Sequence, residues 1–357
     1  MRSFSVLCAV TLLVIILAVA VHRDSGAIPR SGESLFPGLL SSINEVKRIR
    51  ASSGNKSFTL ERRGNAWVVA DRFGYPANAD KVHSLLVGAA GLKRIEPKTR
   101  KPELYSKLGL GDGNGGASRA VAFTLEGANG KELASWITGN AAPAKGDPEA
   151  SEIYVRLPED PQTWLVEGKV PRDGALVDWL DQTILNIDRK RVRLVRVVHQ
   201  DGEVVVVSKE TFDENDFALA DMPADTDVNG QWRINDIGRA FTNLELADVR
   251  PRDSLPESSS PNLRVTMQTF DGLEINLSLH QIDGQPICAI SVSYDENLRH
   301  ATEARISARE VREEASALQD ALKNWVFVLP DFKADHLAQK RETLLKEKGA
   351  KEEASSG

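Results

Sequence analysis

The chain carries nearly the same pattern twice. Trp67-Val68-Val69-Ala70-Asp71 returns as Phe217-Ala218-Leu219-Ala220-Asp221. Leu92-Lys93-Arg94-Ile95-Glu96-Pro97 returns as Leu246-Ala247-Asp248-Val249-Arg250-Pro251, and Val121-Ala122-Phe123-Thr124 as Val265-Thr266-Met267-Gln268. The offset stays near about 150 residues, which is domain-sized and far longer than a solenoid repeat. The expectation is a duplicated domain.

A chain of 357 residues can hold two such domains, each with its own core. An apolar fraction of 41% with 27% charged residues is that of a globular protein. The net charge of −6 speaks against a broad nucleic-acid surface, which is normally basic. Of the two cysteines, Cys8 lies in the apolar N-terminal run and Cys288 is alone in the rest. No disulfide is therefore available to the globular part, which fits a cytosolic protein and an envelope protein equally.

Phe4–Val21 has no charged residue and is dominated by Val, Leu, Ile and Ala. As a helix it would span roughly 27 Å, enough for a bilayer core. Two readings compete. Ala18-Val19-Ala20 has the form of a signal-peptide cleavage site, whereas the unbroken run without Gly or Pro reads as a retained anchor. Both send the chain to a membrane, and the short N-terminal tail favours export of the bulk. Leu7 before Cys8, and the apolar run after it, exclude a lipoprotein site at Cys8.

The organisation expected is a membrane segment (1–22), a Ser/Gly/Pro linker (23–42), a first unit (43–187), a second unit (188–299), a C-terminal helical segment (300–345) and a disordered tail (346–357). In the first unit, strands are predicted at 46–50, 57–62, 66–70, 120–125, 132–138, 153–157 and 163–166. A helix carries Val82, Leu85, Leu86, Ala89 and Ala90 at helical spacing, and a short closing helix covers 176–185. The second unit repeats the order, with strands at 192–198, 204–208, 217–220, 263–269, 274–279 and 287–294 and a helix over 234–244. After it come a charged helix over 303–324, an apolar strand at 325–330 and a last helix over 337–345. The fold class predicted is α+β: a transmembrane helix, two tandem antiparallel-sheet-plus-helix units and a C-terminal helix.

The sharpest local motif is Asp225-Thr226-Asp227-Val228-Asn229-Gly230 with Asp236 at the twelfth position. Oxygen ligands at positions one, three, five and twelve, with Gly at six, are the pattern of a calcium loop. The twelfth residue is Asp rather than Glu, however, and Trp232 fills the eighth position, so turn formers and caps ahead of a helix are the preferred reading. Gly109, Gly111, Gly113, Gly115 and Gly116 lack the strand–loop–helix context of a phosphate loop and read as a flexible loop. His22, His83, His199, His280, His300 and His336 are scattered without metal-ligand spacing. Cys288 sits in an apolar strand and reads as a small buried hydrophobe. Of the tryptophans, Trp67, Trp164 and Trp179 are assigned to the core, and Trp136, Trp232 and Trp325 are the candidates to face a groove. Asn55-Lys56-Ser57 and Asn276-Leu277-Ser278 match the glycosylation pattern and are discounted, the second because it lies in a strand. The sequence assigns no catalytic, cofactor-binding or metal residue.

One resemblance extends over most of the chain. Phe58-Thr59-Leu60-Glu61-Arg62 leading to Trp67-Val68-Val69, then Pro76, Ala77 and Asp80 ahead of the helix, Leu108-Gly109-Leu110, Ile153-Tyr154-Val155-Arg156 and the ending Trp325-Val326-Phe327-Val328-Leu329-Pro330-Asp331-Phe332 carry it. The layout resembles the bacterial membrane-anchored family carrying domain of unknown function 4340. Members of that family sit beside genes for ABC-type export and gliding-associated transport components. The resemblance implies a non-enzymatic accessory or scaffold protein, anchored once in the inner membrane with its globular part facing the periplasm, and ABC permease or ATPase partners. It supplies no catalytic residues. The alternatives are an extracytoplasmic glycan- or peptide-binding module and an uncharacterised enzyme.

Overall fold

The computed structural model describes residues 32–111, 120–142 and 151–347. The predicted membrane segment, the first part of the linker (23–31), most of the glycine cluster and the tail beyond 347 lie outside them; residues 346–347, expected in the tail, are part of a strand paired with 226–227. Among the described residues no helix is long and apolar enough to cross a membrane. The protein is α+β, built mostly from antiparallel sheets with several helices, and it divides into two compact units. One takes Met1–Arg62 with Asp80–Ala175, the other Arg63–Ala79 with Leu176–Gly357.

In chain order the first strands are β1 (Arg48–Ser53), β2 (Lys56–Arg63), β3 (Ala66–Val69), β4 (Tyr75–Pro76), β5 (Lys93–Pro97), β6 (Val121–Glu126), β7 (Glu132–Ala142), β8 (Glu152–Arg156) and β9 (Thr163–Glu167). The first unit's sheet runs β2-β1-β6-β7-β8-β9-β5, all antiparallel. Alternation sends Ile49, Ala51, Phe58, Leu60, Phe123 and Leu125 inward. Trp136 is fully buried beside Phe36 and Phe123, and its indole N–H donates to Thr138 at 2.9 Å. Helix α1 (Ala79–Gly91) buries the predicted stripe of Val82, Leu85, Leu86 and Ala89.

The second unit adds β10 (Thr183–Leu185), β11 (Val192–His199), β12 (Val204–Ser208), β13 (Ala218–Leu219), β14 (Thr226–Val228), β15 (Leu244–Glu245), β16 (Asp248–Pro251), β17 (Leu263–Thr269), β18 (Leu273–Ile282), β19 (Gln285–Tyr294), β20 (Trp325–Val328) and β21 (Leu345–Glu347). Its main sheet runs β12-β11-β17-β18-β19-β20-β16, with β13 beyond β12. That is the same seven-strand order as in the first unit. In both, the strand after the helix (β5, β16) crosses to the far edge and pairs with the last strand (β9, β20). The hairpin of β3 and β4 belongs to this unit because Tyr75 packs on Trp325 and Phe327, at ring-centroid distances of 5.1 and 6.3 Å.

One face of the second sheet is dry. Helix α2 (Gln231–Gly238) lies on β11 and β12, and α3 (Ala308–Leu322) on β18 and β19; α4 (Asp331–Leu337) also touches β19. Val195, Val197, Val265, Met267, Ile275, Leu277, Cys288 and Ile290 are buried on this face of β11, β17, β18 and β19. Burial pushes the Cys288 thiol up to about 12, so it stays protonated.

Several elements differ from expectation. The helix predicted over 176–185 is a short 3-10 turn at Leu176–Trp179 followed by β10, because Thr183–Leu185 finds a partner strand in β15. Helix α3 starts at Ala308 rather than 303. The Ser307 hydroxyl accepts from the Glu310 N–H, and the Glu310 carboxylate accepts the Ser307 N–H, a capping box that fixes the start. In place of the last helix expected over 337–345, α4 ends at Leu337, a one-turn helix covers Arg341–Leu344, and Leu345 begins β21. Strands β5 and β16 were not foreseen; their partners are distant in sequence and their alternation is weak.

Candidate functional site

The residues of the calcium-like motif do not form a coordinating loop. Thr226–Val228 is strand β14, paired with β21. Asn229 is bound to the C-terminal segment, its N–H donating to the Leu344 carbonyl at 2.7 Å and its Nδ2 to that of Thr343 at 3.1 Å. Asp236 sits inside α2. Among the described residues no group of three or more His, Cys, Asp or Glu side chains is arranged to hold a metal ion.

The tryptophans divide differently from expectation. Trp136 is buried, so it cannot line a groove, and Trp325 is half-buried against Tyr75. Trp232 is 57% exposed, with the Arg233 guanidinium 4.4 Å from its ring centre.

Chemistry gathers instead on the face of the second sheet that the helices leave open. On that face Val198 pairs with Arg264 and Arg196 with Thr266; across the next strand Arg264 pairs with Ser278 and Thr266 with Asn276. Farther on, Ser278 faces Ala289, Asn276 faces Ser291, and His280 faces Ile287. Near β19 and β20 this face is apolar: Ile287, Ala289, Val326 and Val328 form a buried cluster capped by Leu255. The Leu255 contact draws the segment between β16 and β17 over the sheet as a wall.

Two cavities lie along this wall. One of about 720 Å³ is lined by Arg252, Asp253, Glu257, Arg264, His280 and Lys323, among others. The second, about 320 Å³, is lined by Arg196, Arg252 and Arg264 over Thr266, Asn276 and Ser278. Both exceed the roughly 300 Å³ that a small ligand fills.

His280 is buried, and its Nδ1 lies 2.8 Å from the Ser259 hydroxyl on the wall. Burial lowers the pKa of His280, and the charges of Arg252 and Arg264 lower it further, so the ring is neutral near pH 7. A serine beside a neutral imidazole is half of a nucleophile–base arrangement. No carboxylate is hydrogen-bonded to the imidazole among the described residues, and the contact serves to pin the wall to the sheet. Sequence reasoning treated His280 as one scattered histidine. Only the period-two alternation of β17 and β18 could have placed Arg264, Ser278 and His280 on one face.

A third cavity, about 590 Å³, is lined by His199, Asp201, Asn262, Asp335 and Lys340. Lys340 is ion-paired with Asp201, and the buried His199 Nε2 has no hydrogen-bond partner among the described residues. His83, His300 and His336 join none of these cavities, and Gly109 and Gly111 follow a 3-10 turn.

The fold and the open face define an α+β protein with a repeated antiparallel sheet and a cation-lined trough. Residues 67–263 match the family described as Domain of unknown function (DUF4340), and the chain belongs to that family. The match runs from β3 to the start of β17 and so covers parts of both units. No curated protein and no solved structure matches the chain.

Proposed function

We propose that the protein is a non-enzymatic, single-pass inner-membrane protein whose two units face the periplasm as an accessory or scaffold component of an ABC-type transport system. The observation that carries this reading is the repeated seven-strand sheet order in a chain that also has an uncharged run at Phe4–Val21. A duplicated β-rich body behind a membrane segment offers two like surfaces at a fixed place on the membrane. The link to ABC components rests on the family resemblance.

The trough on the second unit favours a second reading, an extracytoplasmic binding module for a glycan or peptide. An enzyme is the third, and the Ser259–His280 contact is what favours it. Purification of the tagged full chain from gently solubilised native membranes separates the first reading from the others. Stoichiometric recovery of an ABC permease and ATPase supports the accessory role. Recovery of the chain alone, in the soluble fraction and lacking the first 20 residues, overturns it.

A further inference from the structure

The geometry points to the smaller cavity on the open face of the second sheet as a binding site for a phosphate-bearing ligand, gripped by Arg196, Arg252 and Arg264. Arg196 and Arg264 stand on neighbouring strands two residues out of register, a diagonal spacing of roughly 7–8 Å that long side chains bridge. Arg252 reaches the same cavity from the 3-10 turn Arg252–Ser254 at the foot of the wall. All three are exposed, and none has a side-chain hydrogen bond or ion pair among the described residues. Other arginines of this unit have side-chain partners: Arg191 has Asp271 and Glu314, Arg193 has Gln268, and Arg312 has Glu296.

Among the described residues no carboxylate lines this cavity. Glu274, two residues before Asn276 on the same strand, already accepts from Gln268 and Asn276 at 2.9 and 3.0 Å. The floor supplies neutral donors: the Ser278 hydroxyl and the second N–H of the Asn276 amide, whose oxygen takes the Thr266 hydroxyl at 2.7 Å. Three arginines lining one cavity over hydroxyl and amide donors fit a tetrahedral oxyanion, which takes several fork-shaped N–H donors at once. In the larger cavity Asp253 and Glu257 stand among the cations, so it is the weaker anion site. This inference concerns ligand chemistry and holds whether or not the chain serves a transporter.

The test is calorimetric titration of the detergent-solubilised full chain with inorganic pyrophosphate, using malonate and maltotriose as comparison probes. Saturable pyrophosphate binding that weakens at least about tenfold in Arg264→Gln and in Arg252→Gln is expected. Arg309→Gln, on the outer side of α3, should bind like the wild type. Each Gln variant keeps most of its stem on an exposed position, and circular dichroism confirms its folding. Absence of pyrophosphate binding overturns the proposal. So does undiminished binding in both cavity variants, an equal loss in Arg309→Gln, or malonate or maltotriose binding as tightly as pyrophosphate.

Discussion

Arg191 and Asp271 form a two-pronged ion pair, Nε to Oδ2 at 2.8 Å and Nη2 to Oδ1 at 3.2 Å, with side chains only 10% and 2% exposed. Glu314 of α3 holds the other edge of the guanidinium at 2.7 and 2.8 Å, and the Thr269 hydroxyl donates to Asp271 at 2.6 Å. The network pins the entry of β11, the turn from β17 to β18 and helix α3 to one another. Burial opposes the Arg191 charge, but the hydrogen bonds it donates to Glu314 and Asp271 outweigh it and raise its pKa. Removing one member of such a network leaves a buried charge uncompensated. Asp271→Ala should therefore lower stability by about 3 kcal/mol. Glu314→Gln should cost about 1 kcal/mol, because Glu314 is more exposed and the amide keeps one acceptor. Urea unfolding of the full chain measures both, and equal losses would contradict the network as described.

Gly88 makes a second prediction, on the first unit. A Cβ there would stand 2.2 Å from the backbone oxygen of Lys169 and 3.0 Å from Val170 Cγ1. A backbone oxygen cannot turn aside as a side chain can. Gly88→Ala, normally favourable within a helix, should instead destabilise by about 1–3 kcal/mol. Gly91, the last residue of the same helix, meets nothing within 4 Å. Gly91→Ala is the control, and a melt in which both variants behave alike would remove the close approach as the reason for Gly88.

Much of this architecture was legible because two copies of a pattern constrain each other. Val204–Ser208 and Leu263–Thr269 are strands at the residues where alternation and β-branched content placed them. The matching of Leu92–Pro97 with Leu246–Pro251 was also visible, yet neither was read as a strand, since edge strands β5 and β16 depend on partners about 70 residues away. Trp136 stood among the candidates to face a groove because indole rings suit both cores and binding faces; Phe36, which packs against it, lies about 100 residues away. The calcium-like motif was set aside in favour of turn formers and caps, but its pairing with β21 was not legible, because Asp and Asn spacing carries no information on strand partners. The trough was hidden for a related reason. Arg196, Arg252, Arg264 and His280 come from four elements, and no local spacing joins them.

Lys209 is almost fully buried, and its ammonium donates to the carbonyls of Arg189 and Lys190 at 3.1 Å and of Glu214 at 3.4 Å. Phe217 and Phe270 add ring faces at 5.2 and 5.8 Å. Burial, reinforced by Arg189, lowers its pKa to about 8. The unfolded lysine titrates at about 10.4. The folded state thus binds the proton less tightly, so this group's contribution is full above about pH 10.4 and is lost as pH falls through about 8. The fall is bounded at about 3 kcal/mol, and three carbonyl acceptors and two ring faces that favour the charged form reduce it. Between pH 7.5 and 9.5 the wild type should gain stability relative to Lys209→Met. Parallel curves for the two proteins in that window would show that Lys209 carries no such linkage.

The Ser259–His280 contact closes the wall over the sheet, and its response to acid distinguishes a structural pin from a catalytic base. The ring is faced by Arg252 and Arg264, with Asp253, Glu257 and Lys323 around the same cavity. Its folded pKa lies below the ordinary value of about 6.5, so its contribution is fully present above that pH and is lost as pH falls through the folded value. Ser259→Ala removes one partially buried hydrogen bond and should cost about 1 kcal/mol at pH 7. His280→Gln should flatten the decline of stability between pH 6.5 and 5 relative to the wild type. Proteolysis reports the wall directly: Arg252–Pro261 should be cut faster in Ser259→Ala, and faster in the wild type at pH 5 than at pH 7. If cleavage there is indifferent to both the substitution and pH, the hydrogen bond does not hold the wall, and the serine–imidazole pair regains its claim as a nucleophile and base.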